Sequence, residues 1–343
     1  MVAWRERTTR HFQRYVLSLQ YNGQRFAGSS GHPSTMGANR SVLPSVQETM
    51  EVALQKFVGR KNFSDVQFSS RTDAGVHAFG NTLHVDIENR RRNEHEVIAP
   101  HEPTTVQRAL NSILAPKGIG VTSVSAVPST FHSRFDAKNR TYMYRILVLP
   151  RSSSSAGWRG CLFEQDTSLI VSPRKSTHFN VDMMRAAAHP LLGKHDFTSF
   201  RNSGCQAAHA IKTLDVLNID ERRWTASPLS KNAPFDFFRG SSFGINAHVQ
   251  GSCGNLDKNK EQHEAATDTA AYVQEILITV RAKSFLYNQV RNIVGFLMDV
   301  GENPEMNKVD AARRAVDVLE QKDRNYAPKK APASGLYLMH VEY

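Results

Sequence analysis

The chain has 343 residues, of which 40% are hydrophobic and 22% charged, a composition that is typical of globular proteins and excludes an intrinsically disordered chain. Its formal net charge of +11 favours a polyanionic partner, nucleic acid first and an anionic membrane surface second, over a basic surface that only confers solubility. The three cysteines, Cys161, Cys205 and Cys253, are too far apart for a disulfide framework or a paired-cysteine zinc site.

The N-terminal fourteen residues carry four arginines and one acidic residue, which is weakly similar to a mitochondrial transit peptide. Serines are few, however, and a strand pattern begins at Tyr15. No apolar run approaches the ~18 residues that a membrane-spanning helix needs. We therefore expect a soluble, cytoplasmic protein that does not enter a membrane, with a mitochondrial location as the alternative.

Hydrophobic periodicity predicts the elements of the first half. Alternation from Tyr15 to Tyr21 predicts a strand that ends at a turn. Ser45 and Glu48 form a capping box, which predicts a helix with one apolar face. The elements predicted next are strands at 66–70 and 81–87, a helix at 104–114, and strands at 121–127 and 141–149.

The second half follows a serine-rich segment at 152–155 with Gly157, which predicts a flexible joint. The predicted elements are a helix at 183–193, strands at 211–219 and 275–282, helices at 287–301 and 308–322, and a strand at 336–343. Between the two middle strands the periodicity disappears, which predicts a mobile insertion at 221–271. The mixed order of strands and helices predicts an α+β fold.

Several common catalytic motifs are absent from the sequence. It contains no phosphate-binding GxxxxGK[ST] loop, no GxGxxG turn, no HExxH helix and no GxSxG elbow. The 14 histidines are scattered and do not recur at the helical spacing of a zinc site. We therefore expect no catalytic metal.

The segment SSRTDAGVHAFG, at 69–80, lies between two predicted strands. In one interpretation Asp73 and Gly75 only form a turn, with a positive φ at the glycine. In the other, Arg71 points to the same side as Asp73 and keeps its carboxylate ionised for catalysis. Arg291 supports the second interpretation, because it borders the apolar face of a predicted helix and needs an anion there, or a path to water for its charged end.

SSRTDAGVHAFG resembles the active-site motif of the tRNA pseudouridine synthase A family, whose signature is RTDAGVH. Further motifs match in the order of the family. They are SVQE at Ser45, FHSRFDA at Phe131, RTYMYR at Arg140, HDFTSFR at His195, QVRNIVG at Gln289, KDR at Lys322 and GLYL at Gly335. The forms SFLYNQVR and SSRTDAGVHA are most similar to the eukaryotic synthase-like branch.

The resemblance implies a fold and a reaction. The fold has two ferredoxin-like, RRM-like halves that share a mixed, mostly antiparallel sheet, with helices on one face and a catalytic cleft between the halves. The N-terminal half would be 1–150, with the catalytic aspartate, and the C-terminal half 151–343. The reaction is conversion of uridine to pseudouridine in tRNA without metal or cofactor, expected in the anticodon arm, and a homodimer is a candidate assembly.

The resemblance also implies site residues. Asp73 is the catalytic nucleophile or base, Arg71 is its arginine partner, and Arg291 is the catalytic arginine of the second half. Tyr142 stacks on the uracil and is a candidate for removing the C5 proton. The expected phosphate contacts are Arg134, Arg140, Arg201 and Lys322. The motif also places Thr72, Gly75, Val76 and His77 at the substrate. The arginine run at 90–92 is either a solvated loop or an RNA contact.

Two segments depart from the family pattern. The first loop, YNGQRFAGSS, has Asn22 for the usual aspartate and Ser29-Ser30 for Trp-Gln, and residues 31–41 look inserted. The segment NSGCQAAHAIKT lacks the usual T-x-x-R. These loops help to bind RNA in the bacterial enzymes, so the differences affect the prediction of which RNA position is modified.

Two other functions are alternatives to a synthase. One is a catalytically inactive RNA-binding or chaperone module on the same fold, and the other, less well supported, is an unrelated aspartate-dependent hydrolase.

Overall fold

A computed structural model of the chain describes residues 11–30, 43–91, 97–149, 162–172, 178–225 and 272–343. The strands are β1 (Phe12–Tyr21), β2 (Gln67–Phe68), β3 (His77–Glu88), β4 (Arg90–Arg91), β5 (Val97–Ala99), β6 (Ile119–Val127), β7 (Asn139–Val148), β8 (Leu169–Val171), β9 (Gly193–Asp196), β10 (Ile211–Thr225), β11 (Tyr272–Ala282) and β12 (Leu336–Glu342). The helices are α1 (Val46–Val58), α2 (Pro103–Leu114), α3 (Leu162–Gln165), α4 (Val181–Ala188), α5 (Gln289–Gly301) and α6 (Lys308–Gln321).

One large sheet organises the described chain. Its strands follow the order β6-β1-β3-β12-β7-β11-β10-β9, with β2 added to β3 and β8 added to β7. Within this sheet the β3–β12 and β7–β8 pairs are parallel and the other pairs antiparallel. The predicted α+β class with a mixed, mostly antiparallel sheet is confirmed, while the division into two RRM-like halves stays a prediction.

The alternation read from the sequence sets which side chains enter the core. In β1, Tyr15, Leu17 and Leu19 are fully buried, and the residues between them are more exposed. α1 begins at the predicted capping box, where Ser45 Oγ accepts from the Glu48 N–H and the Glu48 carboxylate accepts from the Ser45 N–H. The buried faces of the helices and of the central strands join in one main core cluster.

β12 occupies the middle of the sheet, between β3 and β7. Its Tyr337 is in register with His77 on β3, and its Leu338 with Tyr142 on β7. The start of β3 follows directly after the Asp73 turn. The strand that comes latest in the described sequence therefore joins the two regions that carry the predicted site residues.

Several boundaries differ from those predicted. β10 continues through Thr225, so 221–225 belong to a strand and not to the insertion, because the β10–β11 hairpin pairs as far as Tyr272. The rest of that insertion (226–271), the joint at 152–157 and the insertion at 31–41 lie outside the described residues. Arg90 and Arg91 form a short strand with β5 instead of a loop, whereas Arg92 is not described.

The longest helix in the described ranges, α6, has 14 residues. In the ranges that the structure describes, no helix combines the length and the apolar character that a membrane crossing requires.

Candidate active site

The segment between β2 and β3 forms a tight turn around Asp73. The Val76 N–H donates to the Asp73 carbonyl oxygen at 3.1 Å, and Gly75 has the positive φ, 81°, that the sequence predicts. A side chain on Gly75 would also meet the Cβ atom of Ala333 at 3.2 Å. Glycine is therefore required both by the backbone conformation and by the neighbouring segment.

A buried hydrogen-bond network fixes this turn from below. The Thr72 N–H donates to Ser29 Oγ at 2.8 Å, and the Ser29 N–H donates to the Thr72 carbonyl oxygen at 3.0 Å. Thr72 Oγ1 and the Tyr21 hydroxyl share a hydrogen bond of 2.9 Å, and Asn81 donates to the same hydroxyl. Burial raises the pKa of Tyr21 to about 12, so its hydroxyl stays neutral. Ser29, a departure from the family pattern, thus supports the turn directly.

The Asp73 carboxylate pairs with Arg291. Arg291 Nη1 lies 2.9 Å from Asp73 Oδ2, and the two side chains are 11% and 28% exposed respectively. In the described part of the chain no donor reaches the other oxygen, Oδ1. One carboxylate oxygen is therefore held by a guanidinium, while the other is available to a reactant.

The expected pairing between Arg71 and Asp73 does not form. Arg71 is exposed and makes no ion pair with a described residue. The expectation assumed an extended backbone, in which the side chains of residues 71 and 73 point to the same side. The backbone instead turns at Asp73, so this alternation of side chains does not apply. Arg291 supplies the cation instead. Of the two alternatives that its position on the edge of the predicted helix left open, an anion or a path to water, the structure shows the anion.

The guanidinium of Arg291 is fixed by its own neighbours. Nε donates to the Ala331 carbonyl oxygen at 2.8 Å, and Nη1 also donates to Asn288 Oδ1 at 3.0 Å. The Ala331 N–H donates to the Arg291 carbonyl oxygen. Gly295 permits this close approach, because a Cβ atom there would lie 2.1 Å from the Lys329 carbonyl oxygen. The 329–331 segment and α5 therefore position the cation together.

Tyr142 lies near the turn on β7 and is 8% exposed. Its ring meets that of Phe285 edge-on at a centroid distance of 5.2 Å. Burial raises the pKa of Tyr142 well above its ordinary value; Tyr21 and the Asp73 carboxylate add to this effect, whereas Arg140 opposes it. A phenol with a raised pKa stays protonated at neutral pH, which favours a stacking role over proton abstraction.

The remaining turn residues are mainly supports. The side chains of Thr72, Val76 and His77 are buried, and the imidazole of His77 stacks on Tyr337 at a centroid distance of 4.6 Å. Burial lowers the pKa of His77, so the ring is neutral at physiological pH. These contacts favour a role in holding the turn over direct contact with RNA.

Arg140 does not fit the predicted role of phosphate contact. It is 8% exposed, and its guanidinium donates to Ser70 Oγ and to the carbonyl oxygens of four other residues. Those acceptors are Ser69, Arg134, Ala137 and Lys283. Burial lowers the pKa of Arg140. Its donors are used to join the 134–137 loop to residues 69–70, immediately before the turn.

The other predicted phosphate contacts differ in exposure. The side chain of Arg134 is exposed, whereas Arg201 is half-buried and donates to the carbonyl oxygens of Cys205 and Ala207. Lys322 has a side chain that is 62% exposed, with Nζ 3.9 Å from Asp196 Oδ2. Arg134 and Lys322 therefore remain accessible to RNA.

Two cations near Arg291 were missed by the sequence prediction. Lys330 is exposed and lies next to Ala331 in the sequence. Partial desolvation lowers the pKa of Lys330, and repulsion from Arg291 and Arg324 lowers it further, whereas the Asp73 carboxylate raises it. Arg324 donates to Asn292 Oδ1 and to the carbonyl oxygens of Ala327 and Pro328. The KDR motif contains Arg324 and could have identified it, whereas Lys330 has no motif signal.

Protein metal sites are commonly built from clustered His, Cys, Asp or Glu side chains. The described ranges contain no group of three or more His, Cys, Asp or Glu side chains that could hold a metal ion. The groups that the structure places around the turn include a carboxylate, guanidinium groups and aromatic rings.

Comparison with known proteins places this chain in a family. A family model described as tRNA pseudouridine synthase matches residues 19–136 and 187–343. The chain is 31% identical to the tRNA pseudouridine synthase A of Roseobacter denitrificans, over 96% of the chain and 95% of the relative. It is 31% identical to that of Bordetella petrii and 30% to that of Parvibaculum lavamentivorans, over 96% of the chain and 91% and 99% of the relatives. These relatives are bacterial, so placement in the eukaryotic branch stays a prediction. The chain belongs to the tRNA pseudouridine synthase family.

Proposed function

We propose that this protein isomerises uridine to pseudouridine in tRNA and that Asp73 is its catalytic residue. The supporting observation is the Asp73 carboxylate itself, which is held on one oxygen by Arg291 and open on the other. The charge-assisted hydrogen bond from Arg291 holds the carboxylate in place for the reaction. The family relationship and the net charge of +11 support an RNA substrate.

The reaction requires one bond to break and another to form. The C1′–N1 glycosidic bond of uridine is cleaved, the uracil turns within the site, and C1′ bonds to C5. C5 then loses its proton and N1 gains one, so that the product is an isomer of the substrate. The free oxygen of Asp73 can attack C1′ as a nucleophile or remove a ribose proton as a base. Either route starts from the same ionised carboxylate.

The target base must leave the RNA stack to reach Asp73. Tyr142 is the aromatic ring proposed to stack on it. The raised pKa of Tyr142 disfavours it as the acceptor of the C5 proton, and we assign that proton to the Asp73 carboxylate, whose charge contributes to the raised pKa. The raised pKa has burial as its largest cause, consistent with a site that excludes water.

The RNA backbone would be bound by cations that remain exposed. These are Arg71, Arg134, Lys322 and Lys330, with Arg201 contributing from a half-buried position. Phosphate contacts of this kind orient the substrate and carry no sequence information. Thr72, Gly75, Val76 and His77 are proposed to act indirectly, by holding the turn.

The test is pseudouridine mapping on tRNA. Wild-type protein, Asp73→Asn and the control Asp65→Asn, at an exposed position before β2, are each incubated with uridine-containing tRNA. We expect conversion by the wild type and the control, none by Asp73→Asn, and tRNA binding by all three. Equal conversion by Asp73→Asn would refute the catalytic assignment. Binding without conversion by the wild type would favour the inactive RNA-binding module.

Three finer features are proposed from the resemblance. The modified uridine lies in the anticodon stem-loop, the protein acts as a homodimer, and it resides in the cytoplasm, with the mitochondrion as the alternative. The same mapping experiment locates the uridine. Light scattering of the purified protein and microscopy of a tagged chain address the other two.

A further inference from the structure

The loop that follows β6 presents an unusual phenylalanine. Phe135 is 71% exposed, whereas most large hydrophobic side chains of the described chain are buried. Single exposed apolar residues are common on protein surfaces, so exposure alone does not indicate a binding role. The question is whether the ring is exposed because the loop is loosely held or because the loop is built to present it.

Hydrogen bonds along the loop indicate that it is built. Three backbone carbonyl oxygens of the loop accept hydrogen bonds from side chains outside it. Arg14 donates to Phe131, the Tyr343 hydroxyl donates to Ser133, and Arg140 donates to Arg134. Within the loop, the Asp136 N–H donates to the His132 carbonyl oxygen, while the His132 N–H donates to Asp136 Oδ2 at 2.8 Å. The backbone around Phe135 is thus fixed while its ring projects outward.

Aromatic neighbours extend from the core to this ring. His84 contacts His132 at a centroid distance of 4.7 Å, and His132 contacts Phe135 at 4.3 Å. Burial, followed by repulsion from Arg14 and His132, lowers the pKa of His84 to about 4, so this imidazole is neutral at physiological pH. The rings support Phe135 from one side and leave the other open.

The chemistry beside the ring favours nucleic acid over protein. The Arg134 guanidinium lies 5.8 Å from the centroid of the Phe135 ring, and no described carboxylate pairs with it. An exposed aromatic ring beside an unpaired arginine is a combination that binds single-stranded RNA, because the ring stacks on a base while the cation meets a phosphate. The net charge of +11 further disfavours a basic protein partner.

The loop is also coupled to the active site. Arg140 donates to the Arg134 carbonyl oxygen at 2.9 Å and to the Ser69 carbonyl oxygen at 3.0 Å. Ser69 precedes the Asp73 turn by only a few residues. One buried guanidinium therefore sets the position of Phe135 relative to the catalytic segment.

We propose that Phe135 is a base-stacking residue that binds an unpaired nucleobase of the substrate RNA, with Arg134 on an adjacent phosphate. The inference rests on the proposed function, in that the RNA is the substrate of the Asp73 site. Stacking here would hold the RNA while the target uridine leaves its own stack. Phe135 acts on binding and position, not on the bonds that change.

The test separates stacking from chemistry by measuring binding in an Asp73→Asn background. Phe135→Ala, Phe135→Leu and Phe135→Trp are compared by tRNA affinity and melting temperature, with Phe12→Ala and Phe12→Trp as controls at another exposed phenylalanine. We expect Phe135→Ala and Phe135→Leu to weaken binding about tenfold. Phe135→Trp should bind like the parent, with its added fluorescence quenched by tRNA. The melting temperatures should not change, because the ring is exposed.

Unchanged affinity of Phe135→Ala, or full rescue by Phe135→Leu, would overturn the proposal. Loss of self-association without loss of tRNA binding would instead assign the ring to a protein contact and also overturn it. Because no turnover is involved, these outcomes do not depend on pseudouridine formation. If wild-type protein failed to make pseudouridine while the stacking results held, the proposed function would fail and the RNA contact would stand.

Discussion

Arg291 and Asp73 are 218 residues apart in sequence, yet Arg291 Nη1 lies 2.9 Å from Asp73 Oδ2. The arginine is also tied to Ala331 through both its side chain and its backbone. Three separate segments thus meet at one carboxylate. The position of this carboxylate therefore depends on tertiary structure and not on the turn alone.

Replacement of Arg291 should abolish most activity. Arg291→Met removes the cation, and Arg291→Lys cannot donate to Asp73, Asn288 and Ala331 in the same geometry. We expect both variants to lower the single-turnover rate by about 100-fold or more. The exposed Arg281→Lys should retain the wild-type rate. A normal rate for Arg291→Lys would show that only a positive charge is needed.

Replacement of Arg140 should affect stability before RNA binding. Arg140→Met would leave several buried carbonyl oxygens without a donor, at a cost of about 2–4 kcal/mol in the free energy of unfolding. Urea denaturation measures this. The matched variant Arg134→Met should keep its stability, bind tRNA more weakly and lower the salt dependence of binding by about one unit. A fully stable Arg140→Met with weak tRNA binding would restore Arg140 as a phosphate contact.

Ser29→Ala tests the support beneath the turn. The substitution removes the acceptor of the buried Thr72 N–H, an unsatisfied donor that costs about 1–3 kcal/mol. We expect a lower melting temperature and a lower kcat, because Asp73 is displaced from Arg291. The neighbouring, partly exposed Ser30→Ala serves as the control. Identical behaviour of the two variants would contradict the supporting role.

His84 should make the protein sensitive to mild acid. Its pKa is about 4 in the folded state and 6.5 for the ordinary imidazole, so the unfolded state binds the proton more readily between these values. The stability that this group contributes above pH 6.5 is therefore lost as the pH falls towards about 4. His84→Asn keeps an acceptor for the Ser133 N–H without titrating. Its melting temperature should fall less than that of the wild type on acidification, and an equal fall would exclude His84.

Lys330 is expected to assist substrate binding. Lys330→Met should raise the KM for tRNA severalfold and lower the salt dependence of binding by about one unit, with kcat nearly unchanged. The adjacent, exposed Lys329→Met is the control for total charge. Equal effects of both variants would indicate a general charge effect and not a contact at the site.

The elements were predictable because their signals are local. Capping and alternation predicted α1 and β1. The edge position of Arg291 left two alternatives, an anion or a path to water, and the structure shows the anion, which is the Asp73 carboxylate. The surroundings of Arg71 and Arg140 could not be predicted in this way. A motif position gives the residue type, but burial and partner choice depend on segments distant in sequence. Ser29 shows the same limit, since its acceptor role is set by Thr72 on another loop.

The central place of β12 has a consequence for biosynthesis. During translation, the strands on both sides of β12 (Leu336–Glu342) are synthesised before β12 itself. Ala331, which accepts a hydrogen bond from Arg291, is synthesised only shortly before β12. In a nascent chain, Asp73 is therefore synthesised long before the guanidinium of Arg291 can form its hydrogen bond to Ala331. RNA modification activity should begin only when the middle of the sheet closes, so that shortened chains ending before β12 would be synthesised without a working site.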